Sequence, residues 1–344
     1  SIIRTFNIDP LGFCEAGDAD DAIATQDGTR FSRGESILPD MLDRLFPQRA
    51  QAKARGDEVA SQAIKILMNS FYGVLGTPAC RFYNPALANA ITSQGRYLLD
   101  WSRRWFEEQG FAVLYGDTDS VFVASGMDDP DAATEAANSL MAQFNAGLDA
   151  YVRDRAGVES RLELEFEKLY TKLFLAKVRG GASGARKRYA GMRHGAADVE
   201  FVGMEVVRRD WTQLAKDVQR ELYARLFADT GVSDYLAGVV ADLRAGRLDD
   251  ALVYRKGLRK GVDEYTKNVP PHVQAVRRSK ELPPRVVSYV VTANGPELVG
   301  ELSALPDREH YVEKQVMPVA VPVLDAMGLD FRQVIGDDRQ QELF

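Results

Sequence analysis

Two carboxylates, Asp117 and Asp119, stand two residues apart between the apolar runs 111–115 and 121–124. Apolar runs separated by a short polar tip are a β-hairpin signature. In an extended strand, residues i and i+2 point to the same face, so both carboxylates can approach one cation. Ligation by oxygen alone suits Mg2+, an ion that substrate phosphates also bridge. Two such ions stabilise the attacking and leaving oxygens of an in-line phosphoryl transfer. Asp-x-Asp alone is also an ordinary polar turn, so the pair needs company.

Cationic residues at helical spacing supply it. Lys65, Asn69 and Tyr72 fall at i, i+4 and i+7 and share one helix face, with Ile64, Leu67 and Phe71 as the neighbouring apolar stripe. Arg49 and Lys53 form an i, i+4 pair on the preceding helix. A solvated face on an amphipathic helix is the plain alternative.

Apolar periodicity and turn residues predict helices over 38–54, 59–74, 85–109 and 131–151. Strands are predicted at the hairpin, over 161–167, where polar and apolar residues alternate, and around 187–190. Residues 14–35 lack periodicity and read as a loop, and the chain after Asp210 reads as mostly helical up to the proline-rich stretch 269–284. Mixed strands and helices followed by a mainly helical region give an α+β fold.

Composition narrows the chemistry. Cys14 and Cys80 have no partner at metal-ligand spacing, and His194, His272 and His310 lie far apart, so zinc and disulfide chemistry are disfavoured and a reducing cytoplasm is expected. No apolar run is long enough to span a membrane, and the start lacks a signal-peptide pattern. The net charge of −7 argues mildly against nucleic acid, but its distribution argues the other way. Residues 168–193 hold eight basic and no acidic residues, and 250–285 hold nine basic against four acidic, tracts that can hold a phosphate backbone.

The strings Tyr115-Gly116-Asp117-Thr118-Asp119-Ser120 and Lys65-x-x-x-Asn69-Ser70-x-Tyr72-Gly73 are far more specific than their parts, and with them the chain resembles family B DNA polymerases, especially the bacterial members. The resemblance implies a right-hand architecture: palm over 1–32 and 77–207, fingers over 33–76, a mainly helical thumb over 208–339, and a tail at 340–344. It implies that Asp119 is a direct ligand of Mg2+ (two ions in the intact enzyme, with Mn2+ as a substitute) and that Asp117 lies beside it. Lys65 would contact the nucleotide triphosphate with Arg49 and Lys53, Asn69 would help hold it, and Tyr72 would pack near the nascent base pair. Arg186-Lys187-Arg188-Tyr189 resembles the family's primer-gripping Lys-Lys-Arg-Tyr element. Tyr254-Arg255-Lys256-x-x-Arg259-Lys260 and the segment from Tyr265 through His272 resemble its thumb, where cations hold phosphates without reading sequence. The implied DNA contacts are therefore Arg186, Lys187, Arg188, Tyr189, Lys256, Arg259, Lys260, Tyr265 and His272.

The last residues, Gln340-Gln341-Glu342-Leu343-Phe344, look like the peptide that bacterial replication factors insert into a sliding clamp, with Gln340, Leu343 and Phe344 as anchors. The implied partners are primer–template DNA, deoxynucleoside triphosphates and that clamp, at the bacterial nucleoid and without a membrane. One departure matters: the family's first acidic metal ligand and its ribose-discriminating Tyr would fall just before Ser1, as would the editing exonuclease. The chain is thus expected to be a fragment, inactive alone, of a DNA-directed DNA polymerase. The alternatives are a non-catalytic module that binds DNA and the clamp, another palm-type phosphoryl transferase (a reverse transcriptase or cyclase), and a plain structural α+β protein.

Overall fold

The computed structural model of the protein describes residues 1–15, 21–177, 184–279 and 285–337, and its contacts fall into two units, Ser1–Glu167 and Lys168–Phe344. In the first unit, helix α1 (Ile2–Thr5) leads into a small antiparallel sheet of β1 (Phe13–Cys14), β2 (Ile23–Ala24) and β3 (Arg30–Phe31), in the order β1-β3-β2. The loop expected over 14–35 thus contains two strands, each too short to show a period. Helices α2 (Leu38–Ala54) and α3 (Glu58–Leu75) pack together. Then come α4 (Pro85–Glu108), the hairpin of β4 (Val113–Asp117) and β5 (Ser120–Val123), and α5 (Pro130–Ala156).

Side-chain caps set these boundaries. Asp57 accepts the Ala60 N–H at 2.9 Å at the start of α3, and Asn84 accepts that of Ala86 at 3.0 Å at the start of α4, where Pro85 needs no donor. The start of α2 is held from a distance: fully buried Asp9 accepts the N–H groups of Ile37 and Leu38 on one oxygen and that of Leu11 on the other. One core gathers Ile8, Phe31, Phe71, Leu75 and Leu87, and a second stacks Phe106 and Phe144 beside Val152.

The strand predicted over 161–167 does not form. Its alternation is real, with Leu162, Leu164 and Phe166 turned inward and their neighbours exposed. Its backbone partner is a side chain: the Asn145 carboxamide donates to the Leu164 carbonyl and accepts the Leu164 N–H, both at 2.9 Å. Period-two burial needs only an extended chain over a core, whereas a strand needs a neighbour. Asn145→Ala orphans both groups and is expected to cost about 1–3 kcal/mol. That should appear as a drop of several degrees in the melting midpoint by circular dichroism. An unchanged midpoint would show that solvent replaces the carboxamide.

The second unit begins with the antiparallel sheet β6 (Tyr170–Lys177), β7 (Gly184–Arg193) and β8 (Val199–Val202), in that order. Helices α6 (Gln213–Ala228) and α7 (Val232–Arg244) follow. Next are β9 (Tyr254–Gly257), α8 (Pro271–Arg278), β10 (Val286–Thr292) and β11 (Gly295–Leu298), then α9 (Arg308–Tyr311), α10 (Met317–Met327) and α11 (Phe331–Val334). Its main core joins Ala190 of the sheet to Leu222, Tyr223, Leu236 and Leu243 of the helices and to Val316–Leu324. The stretch read as helical after Asp210 is interrupted by β9, which pairs with β10 beyond the proline-rich segment. That pairing is long-range, and nothing local in Tyr254–Gly257 announces it.

Candidate active site and nucleic-acid interface

The predicted hairpin forms, with Tyr115 opposite Phe122, Gly116 opposite Val121 and Asp117 opposite Ser120. Val113, Val121 and Val123 anchor it on the Phe106–Phe144 core, while the Tyr115 and Phe122 rings pack across the strands 5.7 Å apart. Its tip differs from a continued strand. The Asp119 N–H donates to the Asp117 carbonyl at 2.6 Å, and Thr118 between them adopts φ +54°. A left-handed backbone is rare for a β-branched residue, and such strain collects at functional sites. The two acids therefore flank a reversal, and the strand-face rule does not describe them. Asp117 is half-buried and Asp119 exposed. Among the described residues, no third His, Cys, Asp or Glu joins them in a metal-binding group. Two hard oxygen donors with an open side still fit Mg2+, which keeps water and phosphate in its remaining positions.

On α3 the buried side runs through Met68, Phe71 and Leu75. Leu67, expected in the apolar stripe, turns outward with Lys65, Asn69 and Tyr72, all exposed. Leu67 is one residue from Met68, about 100° around the helix, and so falls at the edge of the buried face. On α2, Lys53 is exposed and Arg49 half-buried, its Nε buried without a hydrogen-bond partner among the described residues.

In the second unit, the ladder between β6 and β7 steps from Lys177–Gly184 to Leu175–Tyr189, so four β7 residues bulge against one. Bulges re-aim side chains. Within this one, Lys187 is exposed at φ +57°, and Arg188 donates from Nη2 to Glu205 Oε1 at 2.6 Å. The backbone of Arg186 lies in β7, but its side chain is outside the described residues. The half-buried Tyr189 ring meets that of Tyr170 edge-on at 6.2 Å. Two glycines shape this surface. The Tyr170 ring lies where a Cβ on Gly191 would be, and Gly203, at φ +64°, would carry a Cβ 1.7 Å from the Lys187 carbonyl oxygen.

Further along, Arg208 forks onto Asp210 with hydrogen bonds of 3.0 and 2.9 Å, and Lys256 Nζ approaches the same carboxylate at 3.5 Å. Those bonds, and then the two cations' charges, hold the Asp210 carboxyl down at about 2. A depressed carboxyl stabilises the folded state above its unfolded value near 4, and that contribution is lost as pH falls through about 2. A carboxylate NMR titration should therefore place the Asp210 midpoint near 2, and Arg208→Ala should move it back toward the ordinary range. An unchanged midpoint in the variant would mean that Arg208 is not the cause.

Arg259 is exposed, and Lys260 lies over the Tyr265 ring at 4.6 Å while donating to the Glu264 carbonyl. His272 is buried at 7% exposure beneath Tyr265, with its pKa lowered by burial and by Lys256. It supports Tyr265 from below and cannot itself face a phosphate. Gln340, Leu343 and Phe344 lie outside the described residues. Sequence reasoning passed over Glu205, Gln219, Gly203 and the Arg208–Asp210 pair. The one available signal was an acid, Glu205, set inside the apolar run 201–207.

The fold places the chain among nucleic-acid polymerases. A solved family B DNA polymerase from the hyperthermophilic archaeon Pyrobaculum calidifontis superposes with a TM-score of 0.65 and 25% identity, over 96% of this chain and 44% of that one. The sequence profile of DNA polymerase family B matches residues 15–317, and the chain belongs to that family. It is 40% identical over 341 residues to DNA polymerase II of Escherichia coli, covering 94% of this chain and 43% of that protein. It is 32% identical over 300 residues to DNA polymerase 2 of Aeropyrum pernix, covering 82% and 34%. The chain thus spans less than half the length of these relatives. No described helix is long and apolar enough to cross a membrane.

Proposed function

We propose that the chain is the palm, fingers and thumb of a DNA-directed DNA polymerase, divided at 1–32, 33–76, 77–207 and 208–339, and ending in a clamp-binding tail. In this reading a primer 3′-oxygen bonds to the α-phosphorus of a deoxynucleoside triphosphate as the bond to the β-phosphate oxygen breaks. Pyrophosphate departs and the hydroxyl proton passes to solvent. Family membership supports the reaction class. The single observation that carries the site is the Tyr115–Ser120 string on a strained hairpin tip with an exposed carboxylate.

Asp119, with Asp117 beside it, would hold Mg2+, and Mn2+ could substitute. Bound there, the ion supplies charge neutralisation at the triphosphate and activates the attacking oxygen. Lys65, Lys53 and Arg49 would bring positive charge from the α2–α3 pair to the triphosphate. Asn69 holds the nucleotide and exposed Tyr72 offers a ring to the nascent base pair. Lys187, Arg188 and Tyr189, with Arg186, hold the primer–template near its growing end. Lys256, Arg259, Lys260 and Tyr265 grip phosphates further along the duplex, in a manner that salt should weaken. Gln340, Leu343 and Phe344 would anchor a bacterial sliding clamp, at the nucleoid of a bacterial cytoplasm.

Fluorescent primer–template binding under a salt titration, paired with triphosphate binding with and without Mg2+, tests the reading. Salt-sensitive duplex binding together with metal-dependent triphosphate binding is expected. Duplex binding with no metal-dependent triphosphate binding would leave the non-catalytic module. Neither, from folded protein, would refute both.

A further inference from the structure

Arg188 was expected to face DNA, yet its only hydrogen bond among the described residues is to a buried acid. Glu205 is 1% exposed, and both its oxygens are used: Oε1 accepts from Arg188 Nη2 at 2.6 Å, and Oε2 accepts from Gln219 Nε2 at 2.9 Å. The other end of that carboxamide accepts the Val206 N–H at 2.7 Å. The chain of donors runs one way. Val206 must donate, so Gln219 must present its oxygen there and its nitrogen to Glu205, and Glu205 must offer two acceptors. Behind the pair, the buried Tyr223 ring stands edge-on to Phe174 and Phe201. Its hydroxyl is pushed up first by burial and then by the Glu205 charge, with Arg188 opposing.

Such an arrangement is costly unless it does more than fold the protein. A buried ion pair is often replaceable by apolar groups at no loss of stability. This pair leaves guanidinium donors unused: Arg188 Nε and Nη1, which lie on different sides of the group, make no hydrogen bond among the described residues, and the side chain keeps 30% exposure. A planar group held by one nitrogen has its rotamer entropy already lost, so a second acceptor meets an ordered donor.

We propose that Glu205 is a positioning residue for duplex binding, holding Arg188 by Nη2 so that one of its remaining N–H groups, on Nε or Nη1, meets a DNA phosphate. This rests on the duplex-holding reading of 187–189. It makes a prediction opposite in sign to simple electrostatics. Removing a negative charge beside a cation should tighten binding to a polyanion, whereas losing the hold should weaken it.

The test is duplex affinity of the full chain against salt for wild type, Glu205→Gln and Lys187→Ala, each checked by circular dichroism. Glu205→Gln is expected to lose about tenfold in affinity, the value of one charge-assisted contact. The slope of log K against log salt should fall by about 0.9, the signature of one lost phosphate. Loosening of the fold alone, below the melting range, leaves that slope unchanged. Equal or tighter binding by Glu205→Gln, with Lys187→Ala weakened, overturns the role of Glu205 and leaves the duplex reading intact. No salt-dependent binding by folded wild-type chain overturns both. Should Glu205→Gln fail to fold, the exchange Glu205→Gln/Gln219→Glu restores every donor and acceptor. Binding within about threefold of wild type supports the hold, because a hydrogen bond rather than charge keeps Arg188 in place. A tenfold loss from that folded pair overturns it.

Discussion

Asp119→Ala is expected to remove Mg2+-dependent triphosphate binding from this chain, by about tenfold or more in affinity. In any protein in which this site incorporates nucleotides, the rate should fall by about 10²–10³-fold, the cost of removing one preorganised electrostatic group. Asp119 lies at the exposed tip of the β4–β5 hairpin, on the far side of left-handed Thr118. Its backbone N–H closes the turn onto the Asp117 carbonyl. The side chain makes no contribution to that closure, so alanine should spare the fold. Isothermal titration with and without Mg2+ reads the effect directly. Duplex affinity serves as the internal control, and it should be unchanged or slightly tighter because the chain has lost one negative charge. Wild-type metal-dependent affinity in Asp119→Ala would sink the assignment of this hairpin as the metal site.

Gly203→Ala is expected to be the most disruptive single methyl in the second unit. Gly203 lies just past β8 at φ +64°, and an added Cβ would sit 1.7 Å from the Lys187 carbonyl oxygen and 3.0 Å from its carbon. Both obstacles are backbone. Lys187 cannot retreat easily, because it is itself left-handed at φ +57° within the β7 bulge. Overpacking of this kind costs roughly 1–3 kcal/mol, and the left-handed backbone adds about 1 kcal/mol for a residue with a Cβ. At about 2–4 °C per kcal/mol, the unit should melt roughly 5–15 °C lower. Duplex binding should fall as well, since the displaced backbone carries Lys187 and Arg188. Gly195→Ala is the matched control. Its φ is +75°, but nothing lies within 4 Å of the added carbon, so only the conformational cost applies. Equal melting shifts in the two variants would show that the close approach at Gly203 relaxes freely.

Much of the α+β fold was legible because the deciding interactions are local. Asp57, Asn84 and Pro85 set helix starts within a turn of themselves, and α2, α3 and α4 begin and end within about two residues of where periodicity and turn residues put them. The hairpin was legible for the same reason, since two apolar runs joined by a polar tip leave few other pairings. The segment 161–167 shows where local reasoning stops: its alternation records burial, and whether a neighbour exists to make it a strand is a question about the rest of the chain. The Asn145 carboxamide answered it from nineteen residues away. Strand β9 failed for the converse reason, its partner β10 lying some thirty residues on, beyond α8.

For the site the division is sharper. The types and spacing of Asp117, Asp119, Lys65, Asn69 and Tyr72 already stood in the sequence, because phosphoryl chemistry needs particular groups and a helix repeats every 3.6 residues. The sequence by itself therefore determined the family, most of the helices and the exposed side chains that the proposed function assigns to a nucleotide. The tertiary structure alone decided the left-handed reversal at Thr118, the close approach of Gly203 to Lys187, the burial of His272 beneath Tyr265, and the hold of Glu205 on Arg188. Each of these depends on which atoms, distant along the chain, come within a few ångströms of one another. Propensity and periodicity report a residue's preferences among its neighbours in sequence and carry no information about its neighbours in space.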